Sequence, residues 1–196
     1  FASKGFAGTS IRDIAQEADI NISMISYYFG SKEKLIEALF DVRMVESRTT
    51  IEGILNNPAL SSIQKVNIWI DSVVDRLMSS QSFHNIMMRE QLSSESSPII
   101  SEHIYQLKVR NIELMGQLIS QGFESGAFRD NIDLSLMVTT VYGTINQAIA
   151  SQRFYRKFNE LEQLSDAEFE QELTEKLKKH LKNIFINTVV NENYIQ

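Results

Sequence analysis

Between residues 9 and 32 the chain gathers side chains suited to a polyanion. Thr9, Ser10 and Arg12 come first, then Asn21, Ser23, Met24, Ser26, Tyr27 and Tyr28, and Lys32 closes the set. Hydroxyls and amides bond phosphate oxygens or base edges. A methionine meets the methyl of thymine, and a lysine or arginine neutralises phosphate. Catalytic chemistry has no comparable cluster. Cysteine is absent, which excludes thiol catalysis and thiolate metal sites. His84, His103 and His180 lie far apart without ligand spacing. Glu168 and Glu172 belong to a charged helical face, where a carboxylate is ordinarily solvated. Phosphate-loop, dinucleotide, nucleophile-elbow and zincin motifs do not occur. The expectation is a binding protein rather than an enzyme, with no cofactor and no metal.

The elements that must position these residues are helices. Leu134, Met137, Val138, Val141, Ile145 and Ile149 keep a helical period, as do Phe169, Leu173, Leu177, Leu181, Ile184 and Phe185, while strand-like alternation is hard to find. Ser61 with Gln64 and Ser165 with Glu168 are capping boxes, and Asp133 can cap the helix that starts at Leu134. The chain therefore reads as all-α. Asn56-Asn57-Pro58, residues 93–98 and residues 124–130 punctuate it.

Residues 9–29 read as two short helices around a turn at Asp19-Ile20-Asn21. Thr9 or Ser10 caps the first helix, with Ile11, Ile14, Ala15 and Ala18 inward. Ile20, Ile25 and Phe29 anchor the second. Ser31 then caps a long helix beginning at Lys32. This is the layout of a helix-turn-helix, whose second helix enters the major groove. The expected division is a helix-turn-helix domain at 1–45 and a helical domain at 46–196. Net charge over the 196 residues is −6, so nucleic-acid binding would be local rather than a property of the whole surface. No apolar run approaches the roughly 18 residues of a membrane span. The expectation is a cytoplasmic protein with no membrane partner.

The block from Thr9 to Ala15, TSIRDIA, followed by Ala18 to Leu35, ADINISMISYYFGSKEKL, closely resembles the DNA-binding domain of TetR-type (tetracycline-repressor-like) regulators. Tyr27, Tyr28, Phe29, Ser31, Lys32 and Glu33 match the aromatic pair, phenylalanine and Ser-Lys-Glu of the family pattern. Asp19 stands where a glycine is usual, and Ser26 where tyrosine or asparagine is frequent. Phe1 to Phe6 resemble the end of the family's first helix and the turn after it, so that helix is expected to lie largely before Phe1. Residues 1–34 carry Lys4, Arg12, Lys32 and Lys34 against Asp13, Glu17, Asp19 and Glu33. That balance is neutral, and part of the basic footprint is expected to lie before Phe1 as well.

The resemblance implies a larger domain that encloses a lipophilic small-molecule effector, apolar or amphipathic. Met and aromatic residues are dense there, and methionine suits an adaptable apolar cavity. Trp69, Met87, Met88, Tyr105, Met115, Tyr142 and Asn146 are the candidate lining, with Tyr105 and Asn146 supplying orienting hydrogen bonds. It also implies a homodimer through helices near 134–151 and 165–190. The candidate seam is Met137, Val141, Thr144, Leu173, Leu177, Leu181 and Ile184. A two-fold would set two recognition helices about 34–36 Å apart on a palindromic double-stranded operator. The implied function is a ligand-responsive regulator, most simply a repressor released by its effector. The competing reading is a helical adaptor that binds proteins and leaves the N-terminal motif purely structural.

Overall fold

A computed structural model describes residues 1–92 and 97–194, with the backbone alone at Leu92. Residues 93–96, part of the break expected at 93–98, lie outside it. The described residues are all-α, as expected. The helices are α1 Ile11–Glu17, α2 Ile22–Phe29, α3 Lys32–Leu55, α4 Ser62–Ser79, α5 Gln81–Leu92, α6 Pro98–Glu124, α7 Leu134–Ala150, α8 Gln152–Phe158 and α9 Asp166–Val189. A short 3₁₀ turn, Glu192–Tyr194, follows. The one β-type pairing among these residues is an isolated antiparallel bridge, Phe128 to Val190.

Two compact units divide the chain. The first joins Phe1–Thr49 with Gln81–Asn111, and the second joins Thr50–Ser80 with Ile112–Gln196. This differs from a cut at residue 45, because α5 and the first half of α6 belong with the N-terminal helices. Helices α1 and α2 are too short to bury much, and unit 1 builds its core elsewhere. Ile36 and Phe40 of α3 pack with Phe6, Ile86, Met87, Ile100, Ile104 and Leu107.

In unit 2, α4 presents Val66, Trp69, Ile70, Val73 and Leu77 to a core shared with Phe169, Leu173, Leu177, Leu181, Phe185 and Val189 of α9. Two ion pairs flank that contact, Asp71 with Lys182 at 2.6 Å and Asp75 with Lys178 at 2.8 Å. Their order fixes α4 and α9 as antiparallel. The hydrogen bond that Lys178 donates to Asp75 is the main cause that raises the Lys178 pKa; desolvation opposes it, and Glu175 adds to the rise. Gly122 is required by packing: a Cβ there would stand 1.9 Å from the Phe128 ring.

The core of unit 2 takes up part of the expected dimer seam. Leu173, Leu177, Leu181 and Val141 are buried within a single chain. The four-residue spacing on α9 therefore serves the protomer's own core. Met137 packs against that core and Thr144 and Ile184 are half-buried, so none of the seven is a freely exposed seam residue.

Candidate nucleic-acid interface

Ser10 caps α1 as a capping box: its hydroxyl accepts the Asp13 N–H at 3.1 Å, and Asp13 accepts the Ser10 N–H at 2.8 Å. The Ser10 hydroxyl is the largest cause that holds the Asp13 carboxyl well below the ordinary carboxylate range, and Lys4 adds to it at 3.0 Å. Asn21 caps α2 by accepting the Ser23 N–H at 2.9 Å, and the Ser23 hydroxyl donates to the same oxygen at 2.7 Å. Both polar side chains thus shape the helix start while staying exposed. Between the helices, Asp19 adopts φ 52°, a left-handed conformation that aspartate tolerates better than most residues. That explains how the turn forms without glycine. Gly30 ends α2 at φ 79°.

Only Ile25 of α2 is buried. Ala18, Ile20 and Phe29, expected to face inward, are exposed, whereas Ala15 is buried and Ile11 and Ile14 are half-buried. The outward side of α2 carries Met24, Ser26, Tyr27 and Tyr28, the two tyrosines being 83% and 68% exposed. Their rings meet edge to face at 5.1 Å. A helix that offers two tyrosines and a methionine to solvent gains nothing from them in its own fold. Such a face can lie against a groove, with phenol hydroxyls bonding phosphates and the methionine meeting a base edge.

Two expected contacts have other work. Thr9 is buried, and its hydroxyl donates to the Gly5 carbonyl at 2.6 Å. Lys32 donates to the Phe6 and Thr9 carbonyls, both at 2.9 Å, with its ammonium 4.1 Å from the Phe6 ring centroid. It holds the segment before α1 rather than projecting into solvent. Lys34 pairs with Glu37 at 2.6 Å. Of the four cations in residues 1–34, exposed Arg12 alone has no such engagement among the described residues. A second grip on residues 1–9, made from α5, leaves no sign in the sequence. Arg89 donates to the Ala2 and Ser3 carbonyls, and Glu90 accepts the Phe6 N–H at 3.3 Å.

The seven candidate effector contacts are divided between the two units. Met87, Met88 and Tyr105 fall in unit 1, and Trp69, Met115, Tyr142 and Asn146 in unit 2. Tyr105 is exposed, while Trp69 and Met115 are packed core. The Tyr142 hydroxyl accepts from Arg76 at 3.1 Å. A groove of about 580 Å³ exists in unit 2 beside Phe123, Phe128, Arg129 and Asn191, and none of the seven lines it. Among the described residues no group of His, Asp or Glu is placed to hold a metal, and no helix is long and apolar enough to cross a membrane.

Comparison with known proteins agrees with this geometry. Residues 1–39 match the family described as bacterial regulatory proteins, tetR family, and residues 63–182 match its tetracyclin repressor-like C-terminal domain. The probable HTH-type transcriptional regulator YttP of Bacillus subtilis is 42% identical over 65 residues, which span 33% of this chain and 31% of that one. The fatty acid metabolism regulator protein of the same organism is 21% identical over 151 residues, 76% of each chain. The crystal structure of FadR from Bacillus subtilis in complex with stearoyl-CoA shares the fold at TM-score 0.64 and 20% identity, covering 92% of this chain and 90% of that one.

Proposed function

Because the chain belongs to the TetR family of bacterial DNA-binding transcriptional regulators, we propose that it is an effector-responsive repressor that docks α2 in the major groove of a palindromic operator as a homodimer. The observation that carries this reading is the outer face of α2. Tyr27, Tyr28 and Met24 are exposed on a helix whose single buried residue is Ile25. The proposed phosphate contacts are Arg12, Ser10, Tyr27 and Tyr28. The proposed base readers are Ser23, Met24 and Ser26, with Asn21 setting the helix start. Lys32 and Thr9 act behind them by fixing the segment before α1.

The proposed effector is a lipophilic molecule, with a long-chain acyl thioester the first to test, since two of the relatives are named for fatty-acid regulation or bound to stearoyl-CoA. Release then requires that the effector bind the DNA-incompetent conformation more tightly than the competent one; equal affinity for both would regulate nothing. Helix α3 contributes residues to both compact units, which supports it as the lever.

The test is fluorescence anisotropy against duplexes selected from a random library. Tyr27→Phe should weaken binding to all duplexes by up to about tenfold, the value of one hydrogen bond. Substitutions at Ser23 and Met24 should instead change the preferred base. Stearoyl-CoA should lower operator affinity. The absence of any salt-dependent, sequence-specific duplex binding would overturn the reading.

A further inference from the structure

Unit 2 balances its buried and half-buried cations unevenly. Arg129 pairs with Glu192, Arg156 with Asp166, Lys178 with Asp75 and Lys182 with Asp71. Lys65 and Arg76 of α4 have no carboxylate among the described residues. Lys65 is sealed, and it spends its ammonium on the Leu55 carbonyl and the Gln121 amide oxygen, both at 2.8 Å. Arg76 is half-buried, and its guanidinium donates only to the Tyr142 hydroxyl of α7, at 3.1 Å. Most donors of that guanidinium fork are therefore unspent. None of its nitrogens is among the buried atoms left without a partner, so the unspent donors reach solvent.

The two sides of α4 differ accordingly. Toward α9 it carries Asp71 and Asp75, each answered by a lysine. Toward α7 it carries Arg76, answered by a phenol. Arg76 stands in the last turn of α4, where the helix dipole favours a cation. An exposed side chain would satisfy the dipole equally well. It does not account for a guanidinium held half out of water without a counter-charge, which costs free energy until an anion arrives. Tyr142 adds to the same deficit of acceptors. Its oxygen accepts from Arg76, while its own O–H meets no acceptor among the described residues. Val138 and Ile149 share the Tyr142 side of α7 by helical spacing, are half-buried, and pack against the core. A few convergent donors beside apolar side chains is the composition of a site for an amphipathic molecule.

We propose that Arg76 and Tyr142 form the seat for an anionic head group of the effector. The Arg76 fork and the Tyr142 O–H donate to the anion, and the acyl chain covers Val138 and Ile149. The anion is a carboxylate or a phosphate, since both accept from a guanidinium fork. The seat rests on the effector-responsive reading above and narrows it, from a lipophilic molecule to an acyl chain that carries a negative charge.

Isothermal titration calorimetry on the full chain tests it with three probes, each below its micellar concentration: dodecanoate, dodecanoyl-CoA and the neutral dodecanol. At least one of the two anions should bind the wild type about ten- to hundredfold tighter than the alcohol, the value of a charge-assisted hydrogen bond. A preference confined to dodecanoate identifies the anion as a carboxylate, and one confined to the CoA thioester identifies it as a phosphate. Arg76→Met should erase the preference and leave the affinity for dodecanol near wild type. Arg76→Lys, which keeps the charge and loses the fork, should recover part of it. Tyr142→Phe should weaken the preferred anion several-fold and the alcohol little. Equal wild-type affinity for all three probes overturns the seat and leaves the lipophilic-effector reading intact. So does Arg76→Met that weakens all three alike, which assigns Arg76 to structure, or that weakens none. A wild type that binds none of the three overturns the seat and the lipophilic-effector reading together, while the α2 reading, tested by Tyr27→Phe, stands apart.

Discussion

Helices α2 and α9 make opposite uses of an apolar surface. In α9 six residues, Phe169, Leu173, Leu177, Leu181, Phe185 and Val189, are buried, and the exposed side is mostly Glu, Lys and Asn. In α2 Ile25 alone is buried, while Met24, Tyr27 and Tyr28 stand in solvent. Helix α9 is a structural wall whose six buried residues pack within its own unit. Helix α2 is held by its ends: the Asn21 cap, the positive-φ Gly30, and the buried Ile25 between them. Apolar side chains that the protomer does not use are the ones free to recognise something else.

The strongest way to break this contrast is to charge α9. Leu181→Glu places a carboxylate at a position 1% exposed and without a cationic partner designed for it. Burying an unpaired charge costs several kcal/mol, a large fraction of a typical domain's stability. The expected outcome is unfolding of unit 2, seen as a collapse of thermal melting by circular dichroism, rather than clean separation of folded monomers. A folded monomer would return α9 to the seam.

A smaller effect is expected at Lys32, which belongs to the structural side of the contrast although it sits in the recognition block. Lys32→Ala removes two hydrogen bonds to the Phe6 and Thr9 carbonyls. The loss should be about 1–3 kcal/mol of stability, read as a lower melting temperature in the absence of DNA. The salt slope of operator binding should barely change. A stable Lys32→Ala protein with a reduced slope would make Lys32 a phosphate contact after all.

The sequence exposed the all-α class, the capping boxes at Ser61 and Ser165, and the helix-turn-helix block, because these are local signals set within a few residues. It did not separate a core stripe from a partner seam on α9, since both need apolar residues at the same period. Only the ion pairs to Asp71 and Asp75 and the burial of Leu173 to Leu181 decide that α4 is the neighbour. The carbonyl partners of Lys32 are hidden from the sequence for a similar reason. They lie 26 and 23 residues away, and carbonyls leave no mark on sequence. The exposed aromatics of α8 were overlooked because a seven-residue helix gives too few turns for a periodic signal.

Between Arg12 and Lys4 the contrast can be drawn within one surface. Both are exposed cations near α1, but Lys4 is tied to Asp13 at 3.0 Å and Arg12 is not. Arg12→Ala should reduce the slope of log K against log salt by roughly one unit, the release of one counterion. Lys4→Ala should reduce it by less, because its charge is already balanced by a carboxylate that stays ionised. Equal slopes for the two variants would mean that DNA breaks the Lys4–Asp13 pair on binding.

The smallest effect concerns the polar flank of α9. The Lys178 ammonium is favoured in the folded state by Asp75 first and Glu175 after it, so its folded pKa lies above the ordinary 10.5. A raised lysine pKa contributes stability that is complete below 10.5 and is lost as pH climbs through the folded value. The Asp75 side chain is 56% exposed, so screening keeps the contribution under about 1 kcal/mol. Urea unfolding between neutral pH and the alkaline limb should therefore show a shallow decline in stability above 10.5 that is smaller in Lys178→Met. In that variant the apolar contacts of Leu177 and Leu181 are untouched, which isolates the flank from the core. An alkaline decline of equal size in both proteins would assign it to other groups and leave the α4–α9 contact resting on apolar burial alone.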